Sequence, residues 1–416
     1  MSENGRRRVV ITGMGAISPL GLNVDDYWQG LVAGTSGIGK ITQLDVSDYP
    51  VIAAGEVKGF EPEQYMDRKE ARRLARFSQF AKAAAREAVG HAGLEERDRD
   101  PERTGVLIGN GIGGFPNIDA TMRTIVEKGG MRIDPFFMLK MLPNMAAAHL
   151  CMEYQAKGYT GTICTACAAS TQAMGEAAEV IRRGYADVML AGGTEAGICE
   201  LGMAGFAVMK VLSTNEDPER ASRPFDARRD GFVSAEGAAM FVFESLEHAR
   251  ARGAPILAEV AGFAATADAY HMVAPCVDGE GAARCMRFAL ADAGVAPEEV
   301  DYVNAHGTST PLNDASETAA LKTALGEHAY QVPVSSTKSM IGHALAASGA
   351  LETVACVKSI ETGVIHPTAN YEYPDPDCDL DYVPEGAREA EVNVVLKNSF
   401  GFGGQNACLV LRRFEA

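Results

Sequence analysis

The stretch Gly161-Thr-Ile-Cys-Thr-Ala-Cys-Ala-Ala-Ser-Thr171 joins a β-branched segment, residues 159–163, to a helix of small residues predicted over 168–183. The turn between them carries Cys167, and the small residues that follow leave its thiol little shielded. A residue at such a turn lies at a helix N-terminus, where free N–H groups and the helix dipole favour negative charge. We therefore expect Cys167 to have a lowered pKa and to act as a nucleophile, as in a strand–turn–helix nucleophile elbow.

Two other interpretations of Cys167 stay open at this point. A lone cysteine is often a small, buried apolar residue. Cys164 and Cys167 also form a Cys-x-x-Cys pair, which can serve redox chemistry, although the Trp and Pro neighbours typical of such pairs are absent. The choice depends on residues further along the chain.

Composition limits the class of protein. The chain has 416 residues, 47% of them hydrophobic and 22% charged, as expected for one large globular domain or two medium ones. The net charge of −17 argues against nucleic-acid binding. No apolar run reaches the ~18 residues that a membrane-spanning helix needs. Because the nine cysteines lack metal-ligand spacing and no signal peptide opens the chain, we expect no metal, no membrane association and a reducing cytoplasm.

A basic cluster opens a long helix predicted over residues 68–92, where apolar residues recur at helical spacing. It stands out in an acidic chain and comprises Arg68, Lys69, Arg72, Arg73 and Arg76. The cluster is either a solvated helix face or a docking site for an acidic partner.

Predicted strands and helices alternate along the chain, which indicates an α/β fold with mostly parallel sheets. The order of elements in residues 256–416 coarsely repeats that in residues 1–255, so we expect two related halves. Gly13-Met-Gly15 resembles the start of a dinucleotide fingerprint, but Ser18 replaces its third glycine, so this interpretation is weak.

Two histidines follow the same strand-to-helix pattern as Cys167. His306 follows a predicted strand in Asn304-Ala-His-Gly-Thr-Ser-Thr-Pro311, and His343 precedes a small-residue helix in Lys338-Ser-Met-Ile-Gly-His343. Either one alone could be structural. Because such turns gather at one end of parallel strands, we expect the thiol and both imidazoles to share a site.

Together with Asn398-Ser-Phe-Gly-Phe402-Gly-Gly, these motifs resemble those of the β-ketoacyl-(acyl-carrier-protein) synthases. The resemblance is greatest to the elongating enzyme of type II fatty-acid synthesis and extends over residues 9–411, with four separated motifs in order. It implies a thiolase-like α/β fold of five layers, αβαβα, with two pseudo-repeated halves, usually in a homodimer.

The resemblance also implies a decarboxylating Claisen condensation. An acyl chain passes from carrier-protein phosphopantetheine to Cys167, and malonyl-carrier protein then loses CO2. The resulting carbanion attacks the thioester to give a 3-oxoacyl chain two carbons longer. No cofactor is implied beyond the phosphopantetheine that carries the substrates.

Catalytic roles follow from the matched motifs. Cys167 would be the nucleophile, and His306 and His343 would donate Nε2–H to the enolate, with the division of labour between them left open. The backbone N–H groups of Cys167 and Phe402 would form the oxyanion hole. Phe402 also matches a gate residue whose side chain swings to admit acyl chains.

Lys338 matches the structural lysine of the family. It would tune the charge near the two histidines together with Asp314 and Glu352. A plain buried ion pair is compatible with that role.

Further positions match binding residues of the family. Thr308 and Thr310 match positions that bind the pantetheine arm. The acyl pocket would include Ile112, Phe137 and Phe206, with Phe137 reaching across the dimer. The carrier-docking patch would comprise Lys69, Arg72, Arg73, Arg132 and Lys210. Because carrier proteins are acidic, the basic cluster gains a partner of complementary charge.

Related enzymes differ from this pattern in their reactive residues. A biosynthetic thiolase pairs one histidine with two cysteines, and a starter-type synthase uses Cys, His and Asn, so His343 argues against both. A non-catalytic chain-length partner of a polyketide synthase lacks the nucleophile that Cys167 supplies. A catalytic polyketide ketosynthase shares the motifs and stays as the alternative.

Overall fold

The computed structural model describes residues 6–415, which form helices packed around a large central sheet. The strands are β1 (Val9–Ile17), β2 (Gly39–Lys40), β3 (Ala53–Gly55), β4 (Thr104–Gly109), β5 (Thr160–Ile163), β6 (Val188–Glu195), β7 (Ser234–Ala235), β8 (Gly237–Ser245), β9 (Ala258–Ala267), β10 (Tyr302–Asn304), β11 (Val334–Ser335), β12 (Val364–Ile365), β13 (Arg388–Glu389), β14 (Val394–Gly401) and β15 (Gln405–Arg412).

The helices surround the sheet and also lie between its two halves. They are α1 (Val24–Val32), α2 (Arg68–Ala71), α3 (Arg76–His91), α4 (Phe115–Lys128), α5 (Phe137–Met141), α6 (Met145–Tyr154), α7 (Ala169–Arg182), α8 (Glu200–Val208), α9 (Leu246–Arg252), α10 (Glu280–Ala293), α11 (Pro311–Leu325), α12 (Lys338–Ile341) and α13 (Ser348–Thr362). Over residues 6–415, no helix has both the length and the apolar character needed to cross a bilayer.

The main sheet has an internal symmetry. Its strand order is β11-β10-β14-β15-β9-β1-β8-β6-β4-β5. Outward from the centre, β1-β8-β6-β4-β5 and β9-β15-β14-β10-β11 pass through the same series of antiparallel, antiparallel, parallel and parallel pairs. The two halves predicted from the order of elements are therefore related structures.

The expectation of mostly parallel strands is wrong. Of the nine pairings in this sheet, four are parallel. One reason is the tight turn between β14 and β15, where Gly403 and Gly404 have φ values of +85° and +69°. A turn this short can join only antiparallel neighbours.

The helices complete five layers, as predicted. Helices α3 and α6 pack on strands of the first half, and α10, backed by α11, packs on strands of the second half. Helices α7 and α13 contact strands of both halves. The sheet therefore folds back at the joint between β1 and β9, where only Val10 and Ile11 pair with Glu259 and Ala258.

Small residues in α7 and α13 follow from their place in the middle layer. Ala173, Ala177 and Ala350 have no exposed surface. A Cβ added at Gly175 would lie 2.0 Å from the ring of Phe263, so the helix and β9 could not pack this closely with any side chain there. The alanine-rich segments of the sequence are thus the buried centre of the fold.

The single helix predicted over residues 68–92 is wrong in one respect. Residues 72–75 separate α2 from α3, and Ala75 is extended, with φ −75° and ψ 156°. Helix α3 begins at Arg76, whose guanidinium lies 2.8 Å from the buried carboxylate of Glu236. Apolar spacing continues across the break, so the sequence pattern did not reveal the turn that brings Arg76 to this carboxylate.

Candidate active site

Three turns bring Cys167, His306 and His343 to the wall of one cavity of about 430 Å³. Cys167 lies between β5 and α7, His306 follows β10, and His343 follows α12. The two imidazole rings are 5.4 Å apart between centroids and nearly perpendicular, at 84°. All three side chains are buried. The first half of the chain thus supplies the thiol and the second half supplies both imidazoles.

The nucleophile turn holds Cys167 in a sharp bend. Cys167 is the middle residue of a 3-10 turn, Ala166–Ala168, that leads directly into α7. Ala166 has a φ of +48°, a left-handed conformation that non-glycine residues adopt mainly where surrounding structure enforces it. The bend turns the chain from strand to helix within a few residues, as the sequence predicted.

The predicted lowering of the Cys167 pKa is wrong. Burial raises the pKa of this thiol to about 12, while Lys338 and the backbone N–H groups of Phe402 and Cys167 act to lower it. A helix N-terminus favours the thiolate, but loss of contact with water is the larger effect here. The free protein therefore holds a neutral thiol at neutral pH.

His306 is fixed through its backbone and its ring. Its backbone N–H and that of Gly307 each donate to the carboxylate of Glu317 at 2.8 Å. The Nζ atom of Lys338 lies 3.3 Å from His306 Nδ1. Because an ammonium group can only donate, Nδ1 is the acceptor and the neutral ring has its proton on Nε2. Burial, followed by the charge of Lys338, holds the pKa of His306 well below its usual 6.5.

His343 is held in a similar way. Its Nδ1 lies 2.8 Å from the hydroxyl of Ser348, and its backbone N–H donates to the carbonyl of Val233 at 2.7 Å. Burial, followed by the charge of Lys338, holds the pKa of His343 well below 6.5. Both histidines are therefore neutral at neutral pH. His306 has its N–H on Nε2, and His343 has the same tautomer when the Ser348 hydroxyl donates to its Nδ1.

Lys338 connects His306 to a buried carboxylate. Its Nζ contacts Glu352 and donates to the backbone carbonyl of His306 at 2.5 Å. The expected partnership with Glu352 is present. The expected partnership with Asp314 is not found, because Asp314 instead accepts the backbone N–H of Thr308 at 3.0 Å. Asp314 thus supports the loop of the predicted pantetheine contacts and not the lysine.

Two further charged residues belong to this network and were not predicted from the sequence. Lys397 is on β14. Its Nζ atom lies 2.9 Å from one carboxylate oxygen of Glu352, and Lys338 contacts the other oxygen. Glu317 accepts a hydrogen bond from Asn398 at 3.2 Å in addition to those near His306. A signal existed for Lys397, since a lysine within an apolar strand must be paired to be buried.

Glu195, at the end of β6, is another buried carboxyl group beside the cavity that was not predicted. It accepts the backbone N–H groups of Gly111 at 2.9 Å and Ile112 at 3.4 Å, and the side chain of Asn110 at 3.3 Å. Burial raises the pKa of Glu195 to about 8, against the effect of these donors. The carboxyl group fixes the loop that carries Ile112.

The predicted acyl-pocket residues divide into two groups. Ile112 and Phe206 pack in the same apolar cluster as Cys167, together with Leu345. Phe137 lies on α5, half-buried and outside this cluster. Ile112 and Phe206 therefore form part of an apolar wall beside the Cys167 thiol, whereas Phe137 does not.

The loop between β14 and β15 packs directly on the nucleophile turn. Phe402 lines the cavity, and its backbone N–H acts on the Cys167 thiol. A Cβ added at Gly401 would lie 2.6 Å from the carbonyl oxygen of Thr165 and 3.2 Å from the backbone nitrogen of Cys167. Only glycine at 401 therefore allows this loop to pack so closely on the nucleophile turn.

The cavity opens past polar residues toward the surface. Thr308 and Thr310 line it with their hydroxyl oxygens 2.9 Å apart. Lys210 is exposed and lines the same cavity. The two predicted pantetheine contacts and one predicted docking residue thus lie along a single opening.

The basic cluster forms a second cleft, here called the basic cleft. It is lined by Arg68, Lys69, Arg72, Arg73, Asp134, Pro135 and Phe136. The guanidinium of Arg73 lies 5.0 Å from the centre of the Phe136 ring, a cation–π distance. Arg132 is exposed on the adjoining turn, Gly130–Arg132. These cations are exposed and available to a partner.

The Cys-x-x-Cys pair is not joined in the structure. All nine cysteines are free thiols. Cys164 is exposed and its Sγ lies 3.4 Å from the carbonyl of Gly111, whereas Cys167 is buried in the cavity wall. The two thiols thus occupy different environments.

Comparison with known proteins adds to this geometry. The model of the β-ketoacyl synthase N-terminal domain matches residues 6–249, and that of the C-terminal domain matches residues 257–372. A 3-oxoacyl-(acyl-carrier-protein) synthase 2 of Staphylococcus aureus is 48% identical over 416 residues, and another of Synechocystis is 49% identical. Each of these alignments covers 100% of both chains.

Solved structures of the same fold are similar over nearly the whole chain. A type II polyketide ketosynthase, determined in complex with its acyl-carrier protein, has a TM-score of 0.91 at 39% identity and covers 99% of this chain and 100% of its own. A β-ketoacyl synthase of Burkholderia phymatum has a TM-score of 0.92 at 36% identity, covering 98% and 100%. With both domain models matched in order and full-length relatives at these identities, the chain belongs to the β-ketoacyl synthase family.

Proposed function

We propose that this chain is a 3-oxoacyl-(acyl-carrier-protein) synthase that lengthens fatty acyl chains by two carbons. The observation that carries the proposal is the joint placement of Cys167, His306 and His343 on one cavity, with the N–H groups of Phe402 and Cys167 against the thiol. The nine free thiols fit a reducing cytoplasm, where we place the reaction. The proposed chemistry needs no metal and no resident cofactor.

Acyl transfer begins from the neutral thiol of Cys167. Its sulfur bonds to the acyl carbonyl carbon, and the carbonyl oxygen becomes an oxyanion that accepts the N–H groups of Phe402 and Cys167. The bond to the pantetheine sulfur then breaks, and the thiol proton ends on the departing pantetheine thiolate. One thioester replaces another with no net change of charge, so a thiol of high pKa can take part.

Condensation uses the two histidines. Malonyl-carrier protein enters the same cavity, and the electron pair of the bond to CO2 stays behind as an enolate. The enolate oxygen accepts Nε2–H from His306 and His343, which are neutral at neutral pH. The enolate carbon attacks the thioester, the carbon–sulfur bond breaks, and Cys167 leaves as a thiolate that takes a proton from solvent.

Binding roles complete the proposal. Thr308 and Thr310 hold the pantetheine arm along the opening of the cavity. Ile112 and Phe206 pack against the growing chain beside Cys167. Phe137 contributes from a second copy of the chain, which agrees with its place outside the apolar cluster around the thiol.

The acyl-carrier protein docks on the basic cleft and on Lys210 at the cavity rim. The solved polyketide ketosynthase complex supports a carrier protein as the partner. The cations of the cleft are exposed, whereas the chain as a whole carries a net charge of −17. A local positive surface on an acidic protein selects an acidic partner and excludes most others.

Reversing two charges in the basic cleft should weaken this docking. We expect Arg72→Glu/Arg73→Glu to raise KM for acyl-carrier protein about 10- to 100-fold with little change in kcat. The defect should shrink as salt rises from ~0.1 to ~1 M, because screening removes the repulsion. Arg97→Glu, in the 3-10 turn Glu96–Asp98 beyond the other end of α3, is the matched control. An equal loss with a free acyl-pantetheine substrate would contradict docking at this cleft.

Gly401→Ala should disturb the oxyanion hole. The new Cβ would meet the Thr165 carbonyl at 2.6 Å, so the loop that carries the Phe402 N–H must move away from the thiol. We expect the rate of acyl loading to fall about 10²-fold, the cost of losing one oxyanion donor. Gly90→Ala is the control, since a Cβ at that position meets nothing within 4 Å. Stopped-flow loading measures both; an unchanged rate for Gly401→Ala would argue against the oxyanion role.

We propose that the chain is a homodimer. Helix α4 contacts both α5 and α8, and several apolar residues of these helices are exposed: Met122, Val126, Met138, Leu139 and Val208. Strand β5 is an edge of the main sheet. An exposed apolar surface and an open sheet edge are each suited to binding a second copy of the same chain. Sedimentation velocity at micromolar concentration should give twice the chain mass of 44.1 kDa. A species of single-chain mass would refute the dimer.

The proposed function is tested by reconstitution. Purified enzyme is mixed with acyl-carrier proteins bearing saturated chains of graded length and with malonyl-carrier protein, and the products are analysed by mass spectrometry. One round should release a single 3-oxoacyl chain two carbons longer. Repeated condensation without reduction, giving a poly-β-keto chain, would instead support a polyketide ketosynthase, the function of a solved relative at 39% identity. No condensation with any chain length would overturn both.

A further inference from the structure

Lys397 is a second buried lysine, after Lys338, that pairs with the carboxylate of Glu352. Lys397 has no exposed surface, and its Nζ lies 2.9 Å from one oxygen of Glu352, while Lys338 contacts the other. Lys397 Nζ also donates to the hydroxyl of Thr171 at 2.8 Å and contacts that of Ser399. All of these neighbours can accept from an ammonium group, and Glu352 supplies a counter-charge for it. The site can therefore hold a charged lysine.

The two lysines leave a positive charge in the centre of the fold. Glu352 supplies one negative charge against two ammonium groups, and the nearby carboxylate of Glu317 is engaged by backbone N–H groups at His306. Thr171 lies on α7, the helix that Cys167 introduces. Lys397 thus connects the carboxylate between the lysines to the helix of the nucleophile.

We propose that Lys397 is a positioning residue of the condensing site, which holds Glu352 opposite Lys338 and whose charge keeps His306 and His343 neutral while anions form beside them. This inference rests on the proposed function for the identity of those anions. Protonation of His306 would set an N–H at Nδ1 against the ammonium of Lys338, 3.3 Å away, and the ring would lose the orientation that aims Nε2–H at the enolate.

The electrostatic surroundings agree with this role. Lys397 is among the charges that lower the pKa of both histidines, after burial and Lys338. Burial, acting with the charge of Lys338, lowers the pKa of Lys397 itself, against the effect of Glu352. The other titratable groups that face the histidines or this lysine–carboxylate set are Cys167, Glu195, Glu317, Cys356, Cys408, Tyr27, Tyr302 and His366. Lys338 and Lys397 are the cations that lower the pKa values of both rings.

The first test needs no substrate. The histidine Cε1 signals are followed by NMR against pH in wild type and in Lys397→Met, with His306→Gln and His343→Gln used for assignment. Removing one positive charge should raise the pKa of both rings, by about one unit for a nearby charge at an effective dielectric constant of ~20. Lys358→Met on α13, whose lysine pairs with Glu361 at 3.0 Å, is the control and should leave both signals unchanged.

The second test measures how the charge of Lys397 affects the pH dependence of decarboxylation. Decarboxylation of malonyl-carrier protein should lose activity on acidification about one pH unit earlier in Lys397→Met than in wild type, which is ~10-fold in rate on that limb. Lys397→Gln keeps an N–H donor for Thr171 without the charge and carries the test if the Met variant does not fold. Unchanged histidine titration in a folded variant overturns the inference. Shifted titration with no decarboxylation by wild type would instead refute the proposed function and leave the charge effect intact.

Discussion

Replacing Cys167 with alanine should abolish acyl loading and condensation, a fall on the order of 10⁴-fold or more. The thioester forms on the sulfur that faces the N–H groups of Phe402 and Cys167, and alanine offers no nucleophile there. Decarboxylation of malonyl-carrier protein should survive, because His306 and His343 remain. Intact-mass analysis after incubation with acyl-carrier protein measures loading, and release of CO2 measures decarboxylation.

Two other thiols provide the controls for this experiment. Cys276 lines the same cavity, and Cys164 is exposed three residues before the nucleophile. Cys276→Ala and Cys164→Ala should both load acyl chains at the wild-type rate. If Cys167→Ala still gains the acyl mass and Cys276→Ala does not, the chain is carried by Cys276 and the assignment of the nucleophile is wrong.

Glu352→Gln should lower the free energy of unfolding by about 3–5 kcal/mol, the usual cost of removing one partner from a buried ion pair. The substitution leaves the Nζ atoms of Lys338 and Lys397 buried without their shared counter-charge. Chemical denaturation at pH 7 measures the loss. The loss should shrink toward pH 10, where the unfolded chain also gives up its lysine protons and burying a neutral amine costs less.

The matched control lies on the same helix. Glu361→Gln removes a partly exposed carboxylate that pairs with Lys358 and should change stability by less than ~1 kcal/mol. Adding Lys397→Met to Glu352→Gln should recover part of the lost stability, because only one uncompensated lysine then remains. A loss for Glu352→Gln within ~1 kcal/mol of wild type would mean that the two lysines do not depend on this carboxylate for their charge.

The sequence predicted the family and the class of enzyme, and both are confirmed by the domain models and the full-length relatives. This was possible because Cys167, His306 and His343 are each embedded in a short motif at a strand-to-helix turn. The order of predicted strands and helices also indicated that the two halves of the chain are related. The three turns lie at one cavity because the two halves of the chain pack against each other there.

What the sequence did not provide depends on contacts between distant segments. The pKa of Cys167 was predicted from its helix N-terminus, and burial reverses the direction. Lys397 and Glu352 lie on different elements, and neither shows its partner in a local pattern. The break before Arg76 accompanies an ion pair with Glu236, far along the chain. Local motifs therefore specify the reacting groups together with Lys338 and Glu352, whereas Lys397 and the effect of burial on Cys167 appear only once the fold is known.

The place of α7 in the middle layer has a consequence for biosynthesis. Although α7 belongs to the first half of the chain, strands β9 and β15 of the second half cover one of its faces. A ribosome therefore makes the nucleophile helix long before it makes the strands that shelter it. The nascent chain carries an uncovered alanine-rich face until β15 emerges, and chaperone occupancy of stalled chains should fall sharply once that strand has left the exit tunnel.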